Sequence, residues 1–159
     1  MDDFIQLKKD NILRIGIKDS EGKDTKEHLE FDLEDIELPL KLSECEFKHK
    51  KNIEYLKNQM IIIDKKQDKK GKYILSSNEK EKILVIKEFY QREIKALDLF
   101  LGEGGTNKIL NGRKPYYSMY DDISKIIEPI LPKLQIKAQD IAKKIKEKYS
   151  NKKEENTLE

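Results

Sequence analysis

Leu13, Ile15 and Ile17 alternate with Arg14 and Gly16, and Leu29, Phe31 and Leu33 alternate with Glu30 and Asp32. Period-two runs on both sides of the polar stretch Asp19-Ser20-Glu21-Gly22-Lys23-Asp24 predict a β-hairpin with one apolar face. An isolated hairpin is marginal in water, so that face must cover something else. After Pro39 the period changes. From Leu42 the positions Cys45, His49, Ile53, Leu56, Met60 and Ile63 follow at steps of three and four, the signature of an amphipathic helix. Residues 64–73 are polar, contain a glycine and read as a connector. Ser76 or Ser77, with Glu79 close behind, caps a second helix that carries Ile83, Ile86, Phe89, Tyr90, Ile94, Leu97 and Leu101 and stops at Gly102.

Gly102-Glu103-Gly104-Gly105 is the one glycine cluster, and Thr106 opens a short turn that Asn111-Gly112 ends. Tyr116, Tyr120, Ile123, Ile127, Ile130 and Leu134 form a further helical stripe, which Pro129 and Pro132 kink or break because proline removes a backbone bond. Ile136, Ala138, Ile141, Ala142, Ile145 and Tyr149 continue along one side to residue 149. The pattern predicts a mainly α fold with a small N-terminal β-hairpin (α+β) and a helical bundle-like body. The hairpin occupies residues 1–38 and packs on the body at 39–150. Residues 151–159, almost without apolar side chains, are expected to be a disordered tail.

The chain has 159 residues, of which 40% are charged, with 33 Lys and Arg against 31 Asp and Glu. That balance argues against a dedicated nucleic-acid binder. The charge is uneven: residues 1–47 hold 7 basic and 14 acidic side chains, whereas residues 48–159 hold 26 and 17. The two portions attract, which predicts weak head-to-tail association into a homo-oligomer. Cys45 is alone, so no intrachain disulfide forms. Met1-Asp2-Asp3 lacks the positive start of a signal peptide, and the runs Met60–Ile63 and Ile83–Ile86 fall far short of a membrane span. The expectation is a cytoplasmic protein with no membrane partner.

Candidate chemistry is sparse. The glycine cluster fails both the dinucleotide fingerprint, since Asn107 stands where its last glycine belongs, and the phosphate loop, since Ile109 replaces Ser or Thr. It reads as a helix stop and turn, and no cofactor is expected. Cys45 and His49 share a helix face at metal-ligand spacing, but His28, on a strand, is the one other imidazole. A buried cysteine beside a half-buried histidine is the better reading, and no metal or catalytic residue is expected. Adjacent carboxylates such as Asp121-Asp122 point apart on a helix and build no shared acid–base site. The tract Lys137, Lys143, Lys144, Lys146, Lys148, Lys152 and Lys153 either contacts a nucleic-acid backbone or is the solvated face of a terminal helix.

The stretch Ala96-Leu97-Asp98-Leu99-Phe100-Leu101-Gly102-Glu103-Gly104-Gly105-Thr106-Asn107-Lys108-Ile109-Leu110 resembles the tail assembly chaperones of tailed phages and of phage-tail-like particles from Gram-positive bacteria. In that family a helix ends in Leu-Asp-x-hydrophobic-hydrophobic-Gly-Glu-Gly, followed by a small residue and a Lys/Ile turn. Residues 29–40 also resemble the strand-to-helix entry of some members. Gly105 is extra, and Asn111-Gly112-Arg113 stands where an aromatic followed by glycine is usual. The resemblance implies a non-enzymatic protein of the bacterial host cytoplasm that binds the tape measure protein, helps recruit tail tube subunits and is absent from the mature particle. Many members also have a longer frameshifted form. The expected contact for the helical client is Leu99, Phe100, Leu101, Gly102, Gly104 and Gly105 together with Tyr116, Tyr117 and Tyr120, because glycine permits close approach and aromatics give area at low entropy cost. The competing class is a nucleic-acid-binding or regulatory module of a mobile element that uses the basic C-terminal helix.

Overall fold

The computed structural model describes Ile5 and residues 11–157. β1 (Ile12–Lys18) and β2 (Asp24–Asp32) form an antiparallel hairpin with Leu13 opposite Phe31 and Ile15 opposite Leu29. Its turn is fixed by Asp19, whose carboxylate accepts the N–H groups of Glu21 and Lys23, and by Gly22 at φ +80°. Ile17, Leu29 and Phe31 are buried, while the other face carries the exposed pair Arg14–Glu30 at 2.9 Å.

α1 (Leu38–Asp64) starts with proline in its first turn, where a missing N–H costs nothing. α2 (Ser77–Leu101) starts at a capping box: Ser76 accepts the Glu79 N–H, and the Glu79 carboxylate accepts the Ser76 N–H. Between them Asn78 donates to the Ile63 and Lys66 carbonyls, which ties the connector to the end of α1. The two helices run antiparallel as a long hairpin. α3 (Gly105–Leu110), α4 (Met119–Ile127) and α5 (Leu131–Thr157) follow. Pro129 lies in a 3₁₀ turn over Glu128–Ile130 and Pro132 in the first turn of α5, so the proline-broken stripe becomes two helices with neither proline inside a helix interior.

The core lies where the apolar face of the hairpin meets the C-terminal part of α2, α3, α4 and the start of α5. Phe31 packs against Phe100 with ring centroids 5.2 Å apart, and Met119, Ile123, Ile127, Ile130 and Leu134 form the opposite wall. The fold is therefore α+β, mainly helical, with the hairpin packed on the body.

The carboxyl end differs from the expectation of disorder over residues 151–159: α5 continues to Thr157. Lys and Glu, which dominate that stretch, are strong helix formers, and they extend an existing helix without needing a core to bury against. Residues 158 and 159, and the acidic start at residues 1–3, lie outside the described residues.

Candidate functional site

The glycine cluster is braced by one side chain. Asp98, on the last turn of α2, accepts the Thr106 N–H at 2.9 Å, the Thr106 hydroxyl at 2.7 Å and the Gly104 N–H at 3.2 Å. Its carboxylate takes the place an anion would take at the start of α3, so the donors are already used. Gly102 and Gly104 have φ of +89° and +73°, a region where side chains are strained. Gly105 is required for a different reason: a Cβ there would lie 2.7 Å from Leu101 Cβ. The family-like motif is thus a self-contained device that turns α2 into α3.

The expected client-binding residues do not share one surface. Phe100, Leu101 and Gly105 are buried in the core. Leu99, Gly104 and Tyr116 are half-buried, and Gly102 is exposed at the turn. Tyr116 carries Arg113 over its ring at 3.9 Å, and Tyr117 stands 96% exposed. Tyr120 turns the other way, into a polar cluster between helices.

That cluster was not foreseen from the chain. Glu93 of α2 is 1% exposed. Its two carboxylate oxygens meet His49 Nδ1 at 2.6 Å and Asn52 Nδ2 at 2.7 Å, both on α1. The His49 ring stacks on Tyr120 of α4. Cys45 lies one turn before His49, close to Tyr120; burial pushes its thiol up to about 11. Burial likewise raises the Tyr120 hydroxyl, with Cys45 adding to it. A thiol so far from ionisation is a poor nucleophile and a poor metal ligand at neutral pH. His28 sits on β2, bonded to Glu30, away from this pair. Among the described residues no group of three or more His, Cys, Asp or Glu could hold a metal ion, and no buried side-chain polar atom lacks a partner. The cluster joins α1, α2 and α4. Its signal in the sequence is Glu93 and Asn52 standing at core positions of otherwise apolar helical stripes.

Beyond this junction α1 and α2 leave the body as a two-helix arm. Polar pairs run along it: Tyr55 donates to Glu88 at 2.8 Å, Arg92 lies 3.8 Å over the Tyr55 ring, and Lys66 meets Glu81 at 2.9 Å. Ile63 is buried near the tip. The flanks are bare, with Ile61, Ile62, Ile83 and Leu84 each about half exposed, at 53%, 49%, 50% and 55%. On α5 the lysines of the basic tract are exposed except the half-buried Lys137, with Ile136, Ile145 and Tyr149 also exposed; side chains past residue 150 lie outside the description. Among the described residues no helix is long and apolar enough to cross a membrane. Compared with protein-family models, curated proteins and solved structures, the chain matches none of them.

Proposed function

We propose that the chain is a non-enzymatic tail assembly chaperone of a phage or phage-tail-like particle, which binds the tape measure protein in the bacterial cytoplasm, assists tail tube assembly and leaves before the particle matures. The motif resemblance supplies the class. The observation that carries the binding role is the bare apolar flank of the α1–α2 arm: Ile61, Ile62, Ile83 and Leu84 lie beyond the body, and among the described residues no third helix covers them. An antiparallel pair with open apolar flanks accepts one more amphipathic helix, a common mode of helix recognition, and a tape measure rod offers long apolar helical segments. The contact is therefore assigned first to the arm. Tyr117 remains exposed, while Phe100, Leu101 and Gly105 serve the fold.

Co-expression tests this. The intact chain keeps its tape measure partner soluble and co-purifies with it, and Ile62→Glu with Leu84→Glu abolishes both while remaining folded. A double variant that still solubilises the client removes the arm from the site; a wild-type chain that fails with its cognate tape measure ends the chaperone proposal. The basic face of α5 supports the second reading, nucleic-acid binding. Its mark is an affinity that falls steeply with salt.

A further inference from the structure

The two edges of the N-terminal hairpin are built differently. Between the pairs Gly16–His28 and Lys18–Asp24, β1 advances two residues and β2 four. The surplus falls in β2, where Lys26 has φ +63°. A bulge of this kind spoils an edge for further pairing. β1 keeps a regular path over Ile-Leu-Arg-Ile-Gly-Ile-Lys, without proline. The Leu33 N–H donates to the Asn11 carbonyl and the Asp19 N–H to the Lys23 carbonyl. By the alternation of an antiparallel ladder, Leu13 and Ile15 then turn their backbone groups toward β2, and Ile12, Arg14, Gly16 and Lys18 turn theirs outward. Among the described residues no other strand or loop bonds to those outward groups. Beside this edge runs a cleft of about 390 Å³, walled by residues 15–20 on one side and by Leu110, Arg113, Tyr116 and Ile126 on the other.

We propose that β1 pairs with β1 of a second copy of this chain, antiparallel about a two-fold axis at Ile15, so that the two hairpins form one four-stranded sheet. The charges select the register. With the axis at Ile15, Arg14 faces Gly16 of the second copy and Lys18 faces its Ile12, so no like charges oppose. All four outward-facing residues of each strand are then bonded. Sliding the axis to Arg14 sets Arg14 against itself, and sliding it to Gly16 sets Arg14 against Lys18; directly opposed like charges destabilise a ladder. With the axis at Ile15, Ile15 meets Ile15 and Leu13 meets Ile17 on the apolar face, beside the two clefts. The contact is isologous and closes as a dimer. It is independent of the client taken by the arm.

The full chain is tested by light scattering across a concentration series and by mild oxidation of Ile15→Cys. At a non-hydrogen-bonded pair the opposed residues lie close enough for a disulfide, and the native Cys45 is buried. The expected results are a mass that doubles with concentration, a cross-linked dimer from Ile15→Cys, several-fold less from Arg14→Cys, and a return to monomer mass in Gly16→Pro, which removes an outward donor. Should circular dichroism show Gly16→Pro unfolded, Gly16→Lys, placed against Arg14 of the second copy, gives the same reading. A monomer at every concentration overturns the proposal. So does a dimer that survives these substitutions without cross-linking at residue 15. A dimer that appears only when residues 1–10 are deleted assigns the edge to the chain's own amino-terminal segment and overturns it as well.

Discussion

The imidazole of His49 lies flat against the phenol ring of Tyr120, with centroids 3.5 Å apart and planes 6° from parallel. His49 thereby touches two helices at once, since its Nδ1 also meets the buried Glu93 carboxylate at 2.6 Å. One side chain of α1 holds α2 by a hydrogen bond and α4 by ring contact. Removing it strands a carboxylate in the interior with Asn52 as its remaining partner.

His49→Ala is accordingly expected to destabilise the protein by about 1–3 kcal/mol, the cost of leaving a buried polar group short of a hydrogen-bond partner. The double variant His49→Phe with Glu93→Leu keeps the ring stack and removes the buried carboxyl, leaving Asn52 as the one member of the cluster short of a partner, and should recover part of that loss. Urea denaturation of the three proteins measures both. A double variant as unstable as the single one would show that the pair is not the source of the effect.

The α2–α3 turn gives a prediction with two separate causes. Gly105→Ala forces its Cβ against Leu101 and should cost about 1–3 kcal/mol through overpacking. Asp98→Ala leaves the Thr106 and Gly104 N–H groups without their acceptor and should cost about 1–3 kcal/mol. Thermal unfolding reads both. Client solubilisation by whatever fraction stays folded should be unchanged, because the motif acts through the turn.

The arm predicts the opposite separation. Ile62→Glu and Leu84→Glu lie on exposed flanks and should shift stability within about 0.5 kcal/mol. Solubility of the co-expressed client should fall sharply. A pull-down and a melting curve on the same preparation check it.

The thiol of Cys45 titrates on the alkaline side. Burial raises it from 9.0 to about 11, so the folded chain holds this proton more tightly than the unfolded chain. Its contribution to stability is complete below about pH 8, where the unfolded thiol is still protonated, and is lost as pH rises through 9 to 11. Cys45→Ala should remove this part of the alkaline loss in urea midpoints measured across that range. Thiol reagents at pH 8 should react with native protein far more slowly than with protein unfolded in denaturant.

An acid-side counterpart is weaker. The Lys41 ammonium, at 2.8 Å, and then the Glu37 N–H hold the Asp35 carboxyl below its ordinary value. Its contribution is full above about pH 4 and disappears as pH falls through the lower folded value. The pair is partly exposed to solvent, so Lys41→Met should flatten the acid limb of stability slightly, and more at low salt than at high.

Element type was legible because it rests on local periodicity. Leu13-Ile15-Ile17 and Leu29-Phe31-Leu33 gave the hairpin, Ser76 and Gly102 the limits of α2, and Pro129 with Pro132 the break before α5. Facing was less legible. α2 carries apolar residues on more than one side, so its period could not tell that Phe100 and Leu101 enter the core while Ile83 and Leu84 do not. Glu93 lies 44 residues from His49, and nothing local announces a pairing across that distance. The helix from residue 151 to Thr157 rests on the propensity of Lys and Glu, which a pattern of apolar positions does not reveal.

From Glu93 to Ser77, α2 extends about 24 Å at the usual rise per residue. The arm is anchored near one end, by the His49 junction and the Asp98 turn. It is a cantilever. A tilt of about 10° at the anchor would carry the tip about 4 Å, close to the pitch of one turn of a helix lying against it. Stiffness at the His49–Glu93–Tyr120 anchor therefore sets how far the tip can move, and so how far it would follow the proposed client.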